Sequence, residues 1–244
     1  MSDALGSILI AVEGIDGAGK TTQVAMLREA LIRVGEPPVV SKEPTSGQWG
    51  KIIRESATTG RLPAERELEL FIKDRTEHVE KLIGPALAEG KIVILDRYFY
   101  SSIAYQGSRG ANVVTVKQIM ESQFPIPDAV FLLDVDPIIG VHRIAHSRQE
   151  EPNHFEDREN LGKAREIFNE MSEPYIHRID GAMSQTSVHA RLVELFIDGA
   201  LKKKRCAKSY GCDDPFHCVS RITNSCEWVK MRHGLLFPET APSQ

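Results

Sequence analysis

Cysteine is missing from the first 205 residues of this 244-residue chain, and four cysteines crowd into the next 21. A disulfide framework is therefore excluded for most of the chain, and a chain this long buries enough core to need none. Long apolar runs are lacking too, since none nears the ~18 residues of a membrane-spanning helix. No basic stretch precedes the first apolar run, so the N-terminus does not read as a signal peptide. Neither sign of charge dominates: 34 acidic residues against 30 basic ones leave a net charge of −4, which argues against a general polyanion binder. With 41% hydrophobic and 26% charged residues, the composition is that of an ordinary globular chain and excludes disorder, collagen and coiled coil. The expectation is a cytoplasmic protein with one main domain.

Charge is unevenly spread along the chain. Residues 201–233 hold eight basic and three acidic residues, a local net charge of +5, together with all four cysteines. This shift places a boundary near Leu201, between a main domain (1–200) and a basic, cysteine-bearing extension (201–244).

Short apolar runs alternate with longer amphipathic stretches. Strands are predicted at Ser7–Glu13, Pro38–Ser41, Lys91–Leu95, Ala129–Asp134 and Ile176–Ile179. Helical spacing predicts helices over Lys20–Val34, Glu65–Ala88, Val116–Phe124, Asn160–Arg178 and Ser187–Leu201, with another opened by Asp136-Pro137. Arg148–Glu159 reads as a charged, mobile segment. Strands separated by helices imply a parallel sheet of five strands covered on both faces, a three-layer α/β fold.

Gly14-Ile15-Asp16-Gly17-Ala18-Gly19-Lys20-Thr21 matches G-x-x-x-x-G-K-[ST] between a predicted strand and a predicted helix. In such a loop the backbone N–H groups turn inward onto phosphate oxygens, and the helix N-terminus adds positive potential. Lys20 reaches the β- and γ-phosphates, and Thr21 is a ligand for Mg²⁺. The motif points to ATP binding on a P-loop NTPase-type fold but leaves the reaction open.

Five segments together carry a sharper signal: Glu13–Thr22, Lys42-Glu43-Pro44, Phe71 with Arg75, Asp96-Arg97-Tyr98, and Ser101–Gly107. In order and spacing the chain from about Ser7 to Leu201 resembles thymidylate kinase, a nucleoside monophosphate kinase family. The resemblance implies transfer of the γ-phosphoryl group of ATP to dTMP, with Mg²⁺, in a homodimer. It implies that Phe71 stacks on the pyrimidine while Arg75 bonds a base carbonyl. By periodicity alone Phe71 belongs to an apolar stripe and Arg75 is a solvated charge. Asp96 would hold Mg²⁺ or its waters, and Arg97 would bridge the phosphates of donor and acceptor. Ser101, Ser102, Tyr105 and Gln106 would read the base edge and close over the 2′ face of the sugar. Asp16 would contact the acceptor sugar, and Thr22 would complete the phosphate-binding segment.

Three departures from the family pattern matter. Lys42 stands where many bacterial members have arginine, which keeps the charge and loses the bidentate fork. Ala18 leaves the loop without an arginine, so the transition-state cation is expected from a lid, with Arg148 and Arg143 ahead of Arg158. Asn153-His154 precede Phe155-Glu156, where members often have Asp-Arg.

Cys206, Cys212, Cys218 and Cys226 are spaced C-x5-C-x5-C-x7-C, unlike a zinc knuckle. Clustered cysteines in a cytoplasmic chain suggest a structural Zn²⁺, with disulfides or free thiols as the alternatives. A substrate other than dTMP, such as dUMP, and a non-catalytic nucleotide switch are the rival functions. Nucleic acid and membrane are not expected partners.

Overall fold

Central strands of a doubly covered sheet must be apolar on both faces, because successive side chains point to opposite sides. In the computed structural model, which describes residues 6–148, 158–206 and 234–235, β1 (Ile8–Glu13) and β3 (Ile92–Asp96) are buried at every position. With β2 (Val39–Lys42), β4 (Ala129–Asp134) and β5 (Ile176–Asp180) they form one parallel sheet in the order β2-β3-β1-β4-β5. The register sets Val12 beside Asp96, Lys42 beside Asp96, and Asp134 beside Asp180. The carboxyl ends of the strands therefore gather charged residues at one edge, where ligands of open α/β sheets bind. Among the described residues no helix is long and apolar enough to cross a membrane.

The five predicted strands and the six predicted helices are all present, with changed limits. α1 (Lys20–Arg33) lies on β1 and β3. The long helix expected over 65–88 is instead α3 (Ala64–His78), a π turn at Val79–Ile83, and α4 (Gly84–Ala88). Pro85 explains the break: it has no N–H, and its ring crowds the carbonyl four residues back, so the turn widens. α6 (Val113–Gln123) starts at a cap in which Asn112 accepts from Thr115 N, and α7 spans Pro137–Arg148. α8 (Arg158–Glu170) stops eight residues before the expected limit at Arg178. The Arg178 guanidinium meets its last carbonyls, bonding Phe168 O, Asn169 O and Met171 O at 2.6–3.0 Å.

Two helices escaped the sequence pattern. α2 (Gln48–Thr59) turns Gly50, Ile53, Ser56 and Ala57 inward at helical spacing, and only Ile53 among them is a large apolar residue. Gly50 is required there, since a Cβ would sit 1.9 Å from Thr45 O. α5 (Phe99–Gly107) is buried from Phe99 to Gln106, so it has no polar face to mark a period. α9 (Gln185–Phe196), capped by Ser184, continues as a π-helical turn over Ile197–Cys206 with a kink at Gly199. It runs across the expected boundary: Leu201 is fully buried in the core and Lys204 pairs with Asp128 at 3.1 Å. Beyond it, Leu235 joins the same core. Cys212, Cys218 and Cys226, the Cys206 side chain, and residues 149–157 of the expected lid lie outside the described residues.

β1 ends on a fully buried carboxylate, Glu13. Its Oε1 accepts from Tyr98 N (2.8 Å) and Ser101 N (3.2 Å), and its Oε2 from Ser101 Oγ (2.6 Å). Glu13 thus fixes the start of α5 against the end of β1. Burial pushes its carboxyl up to about 7, against the pull of Ser101 and the Arg97 charge. A carboxyl raised from 4.5 stabilises the fold fully below pH 4.5 and loses that contribution as pH rises through about 7. Relative to Glu13→Gln, which does not titrate, the wild type should lose about 3 kcal/mol across that window. Denaturant melts between pH 4.5 and 8 measure this, and a difference that does not change with pH would contradict it.

Candidate active site

The phosphate loop joins β1 to α1 and is shaped by close backbone contacts. Gly17 has φ +76°, and a Cβ there would lie 2.2 Å from Gly140 O on α7. The contact is reciprocal, since a Cβ on Gly140 would lie 2.6 Å from Asp16 O. Gly140 is thus a site residue that sequence reasoning missed; it stands alone on a helix, 123 positions from its partner, with no local motif. The loop opens onto a cleft of about 1030 Å³. Asp16 and Gly17 through Thr22 line it, whereas Ile15 is buried in the core and Gly14 serves through its carbonyl.

Lys20 is buried, and its Nζ donates to Ile15 O at 2.7 Å. Burial and then the Arg97 charge bring its ammonium down to about 8. Thr21 Oγ1 donates to Asp96 Oδ2 at 2.5 Å, which joins the start of α1 to the end of β3.

Arg97, just past β3, has φ +70°, a conformation that non-glycine residues adopt only when their surroundings impose it. Here Nη2 donates to Asp16 Oδ1 (2.6 Å), while Nη1 reaches Gly14 O (3.2 Å) and Ser101 Oγ (3.0 Å). The guanidinium also lies 5.3 Å from the centre of the Tyr105 ring. Tyr105 completes the group: its hydroxyl donates to Asp16 Oδ2 (2.8 Å) and accepts from Asp16 N (3.1 Å). Burial alone would raise the Asp16 carboxyl, but the charges of Arg97 and Lys20 with these hydrogen bonds hold it below its usual range. Burial also raises the Tyr105 phenol, with the Asp16 charge acting the same way.

Past this cluster the same cleft runs on into a second part. Phe71 is half-buried and lines it, off the core to which periodicity assigned it. Arg75 is no solvated charge; it is 1% exposed. It bonds Glu43 Oε2 through Nε (2.8 Å), Ser102 Oγ through Nη2 (2.9 Å) and Met120 Sδ through Nη1 (3.0 Å), and its Nη2 is ion-paired with Glu43 Oε2 at 2.7 Å. Lys42 lies on the rim, exposed at the end of β2. Ser101 and Ser102 line the cleft, though the Ser101 hydroxyl is taken up between Glu13 and Arg97. Gln106 departs from expectation. It is fully buried off the cleft, and its Nε2 donates to Glu67 Oε1 at 2.8 Å. Glu67 also holds Arg61 and Arg109, and this buried pairing draws the Gln106 amide away from the pocket.

Of the lid arginines, Arg143 reaches the cleft, with Nη2 donating to Gly181 O at 3.0 Å and Nη1 to Gly17 O at 3.4 Å. Arg148 is the last residue of α7, and its side chain lies outside the described residues. Arg158 is exposed at the start of α8.

Comparison with known proteins agrees with this geometry. The sequence model of the family described as thymidylate kinase matches residues 12–192. A curated thymidylate kinase of Xanthomonas euvesicatoria is 48% identical over 199 residues, covering 79% of this chain and 86% of that protein. One of Xylella fastidiosa is 45% identical over 193 residues, covering 78% and 91%. A crystal structure of thymidylate kinase from Ehrlichia chaffeensis superposes with a TM-score of 0.64 at 30% identity, covering 78% of this chain and 99% of that one. On this family match and these identities, the chain belongs to the thymidylate kinase family.

Proposed function

We infer that the protein transfers the γ-phosphoryl group of ATP to dTMP, giving ADP and dTDP, and that the two ends of the cleft hold the two nucleotides. The cluster of Asp16, Arg97 and Tyr105 carries this reading. It stands between the phosphate loop and the pocket of Phe71 and Arg75, where the two sets of phosphates must meet. A simple nucleotide switch has no need of that second part of the cleft.

Catalysis by such a site is positioning and charge neutralisation, with no covalent intermediate. Lys20 neutralises the donor phosphates and Arg97 spans donor and acceptor. Asp16 holds Arg97 in place and faces the acceptor sugar. Arg143 supports the donor end, with Arg148 as the proposed lid cation. The Phe71 ring stacks on the base, and Arg75, which has only donors, accepts a pyrimidine with a carbonyl and rejects one with an amino group there. Ser102 steadies Arg75 from the pocket wall. The Tyr105 ring, fixed through Asp16, closes the sugar's 2′ face.

Thr21 and Asp96 offer a hydroxyl and a carboxylate at the loop, a hard oxygen pair that fits Mg²⁺, an ion that keeps waters and takes phosphate oxygens. When bound, Mg²⁺ offsets charge on the donor phosphates. A homodimer, as the family resemblance implies, is also proposed. So is a structural Zn²⁺ on Cys206, Cys212, Cys218 and Cys226, with disulfides or free thiols as the alternatives.

A coupled assay with ATP against a panel of monophosphates tests the function. The expected order is dTMP first, with the ribose form of TMP and dCMP each at least tenfold lower in kcat/KM. Equal kcat/KM for the ribose and deoxyribose forms would remove the 2′ gate, and turnover of no monophosphate would remove the kinase assignment.

Lys20 generates a second expectation. An ammonium lowered to about 8 is part-neutral at pH 8, and bound phosphates raise it again. ATP binding at pH 8 should therefore take up about half a proton. Calorimetry in buffers of different ionisation enthalpy reads this uptake. Lys20→Ala should abolish both the uptake and phosphoryl transfer while the protein stays folded. Uptake that persists in Lys20→Ala would assign the proton elsewhere.

A further inference from the structure

The base-facing Arg75 sits in a chain of buried polar groups that the phosphoryl-transfer chemistry does not use. Glu43 follows β2, and Arg75 and His78 lie three apart on one face of α3. Glu43 is 5% exposed, Arg75 1% and His78 6%. The carboxylate is divided between its neighbours. Oε2 accepts from Arg75 Nε and is ion-paired with Nη2, while Oε1 meets His78 Nδ1 at 2.9 Å. A carboxylate has only acceptors, so His78 Nδ1 carries the proton. Its Nε2 meets Ser41 Oγ at 2.8 Å, which ties the ring back to β2. On the adjoining side of α3, Asp74 accepts from Thr45 N (2.7 Å) and Thr45 Oγ1 (2.6 Å) and pins the same loop separately.

The donor count of Arg75 shows what this arrangement does. A guanidinium has five N–H groups. Nε donates one to Glu43 Oε2, Nη2 donates one to Ser102 and faces Glu43 Oε2 as an ion pair at 2.7 Å, and Nη1 donates one to Met120. One Nη1 N–H is left for the pocket. Because His78 takes Oε1, Arg75 meets Glu43 through Oε2 alone. A carboxylate free to turn would adopt the two-oxygen fork that arginine and carboxylate pairs favour, and the guanidinium plane would turn with it. His78 holds the second oxygen and blocks that rotation.

We propose that His78 is a positioning residue for base recognition: by holding Glu43 Oε1 it fixes the plane of Arg75 and so aims its one remaining N–H at the acceptor's base carbonyl. The inference rests on the reading that Arg75 meets the base, and the experiment separates the two.

Steady-state kinetics with ATP and either dTMP or dCMP would compare wild type, His78→Leu, His78→Asn and Arg75→Ala, each checked for folding by its thermal melt. Leucine fills the space and leaves Glu43 Oε1 unpaired. Asparagine places an amide N–H near the position of Nδ1. For His78→Leu the expected result is a rise of about tenfold in KM for dTMP, with kcat and the KM for ATP within about twofold of wild type. The preference for dTMP over dCMP should fall as well. His78→Asn should restore most of both, which a purely structural histidine would not require. If the leucine variant folds poorly, Ser41→Ala, which loosens the ring from behind, should raise the KM for dTMP about threefold. A raised KM in Arg75→Ala with wild-type KM and selectivity in His78→Leu would overturn the role of His78. An unchanged KM in Arg75→Ala would overturn the base reading itself and the inference with it.

Discussion

Arg97 is the constraint on which the site depends. It occupies a left-handed backbone conformation that costs a non-glycine residue of order 1–3 kcal/mol. Around it, Asp16, Gly14 O and Ser101 Oγ hold the side chain, and Glu13 holds the N–H of Tyr98 next to it. The twist turns the chain from β3 into α5 and leaves the guanidinium beside the phosphate loop. The loop, the end of β3 and the start of α5 are therefore set as one unit. Gly17 against Gly140 adds α7 to it by close backbone contact.

Buried ion pairs are expensive to form and seldom add net stability, but a broken one leaves a charge without a partner. Buried and part-buried pairs recur around the cleft and behind it. Arg75 meets Glu43, Arg97 meets Asp16, and Glu67 meets Arg61 and Arg109. Arg75–Glu43, Arg97–Asp16 and Arg109–Glu67 tie segments distant in sequence, while Arg61 meets Glu67 from six residues away. This is a geometry bought with desolvation, suited to an enzyme whose chemistry is mostly placement. Gln106 shows the same rule from the other side, because the demand of buried Glu67 draws its amide off the pocket.

Much of this was legible in the sequence, for identifiable reasons. The phosphate loop is a contiguous spacing, and Asp96-Arg97-Tyr98 closes an apolar run, so both could be placed on strand ends before any fold was known. The five strands were visible as short apolar runs. What could not be read shares one feature: it depends on close approach between distant segments. α2 buries Ile53 among glycine, serine and alanine, so its inward face carries little apolar bulk, and α5 is buried all round and shows no amphipathic period. The partners of Arg75 are 32 residues back at Glu43 and 27 ahead at Ser102. Gly140 has no signature until Gly17 is found against it. The continuation of α9 past Leu201 was hidden by a shift in charge, which marks a surface and does not mark where the core ends.

Asp16 and Arg97, joined at 2.6 Å, are proposed to act as one unit in phosphoryl transfer. A double-mutant cycle on kcat, with Asp16→Asn, Arg97→Lys and the pair together, tests it most directly. The account predicts strong non-additivity, with the double variant no slower than the worse single one by more than about threefold. Losses that multiply, each variant lowering kcat by its own full factor in the other's presence, would contradict it.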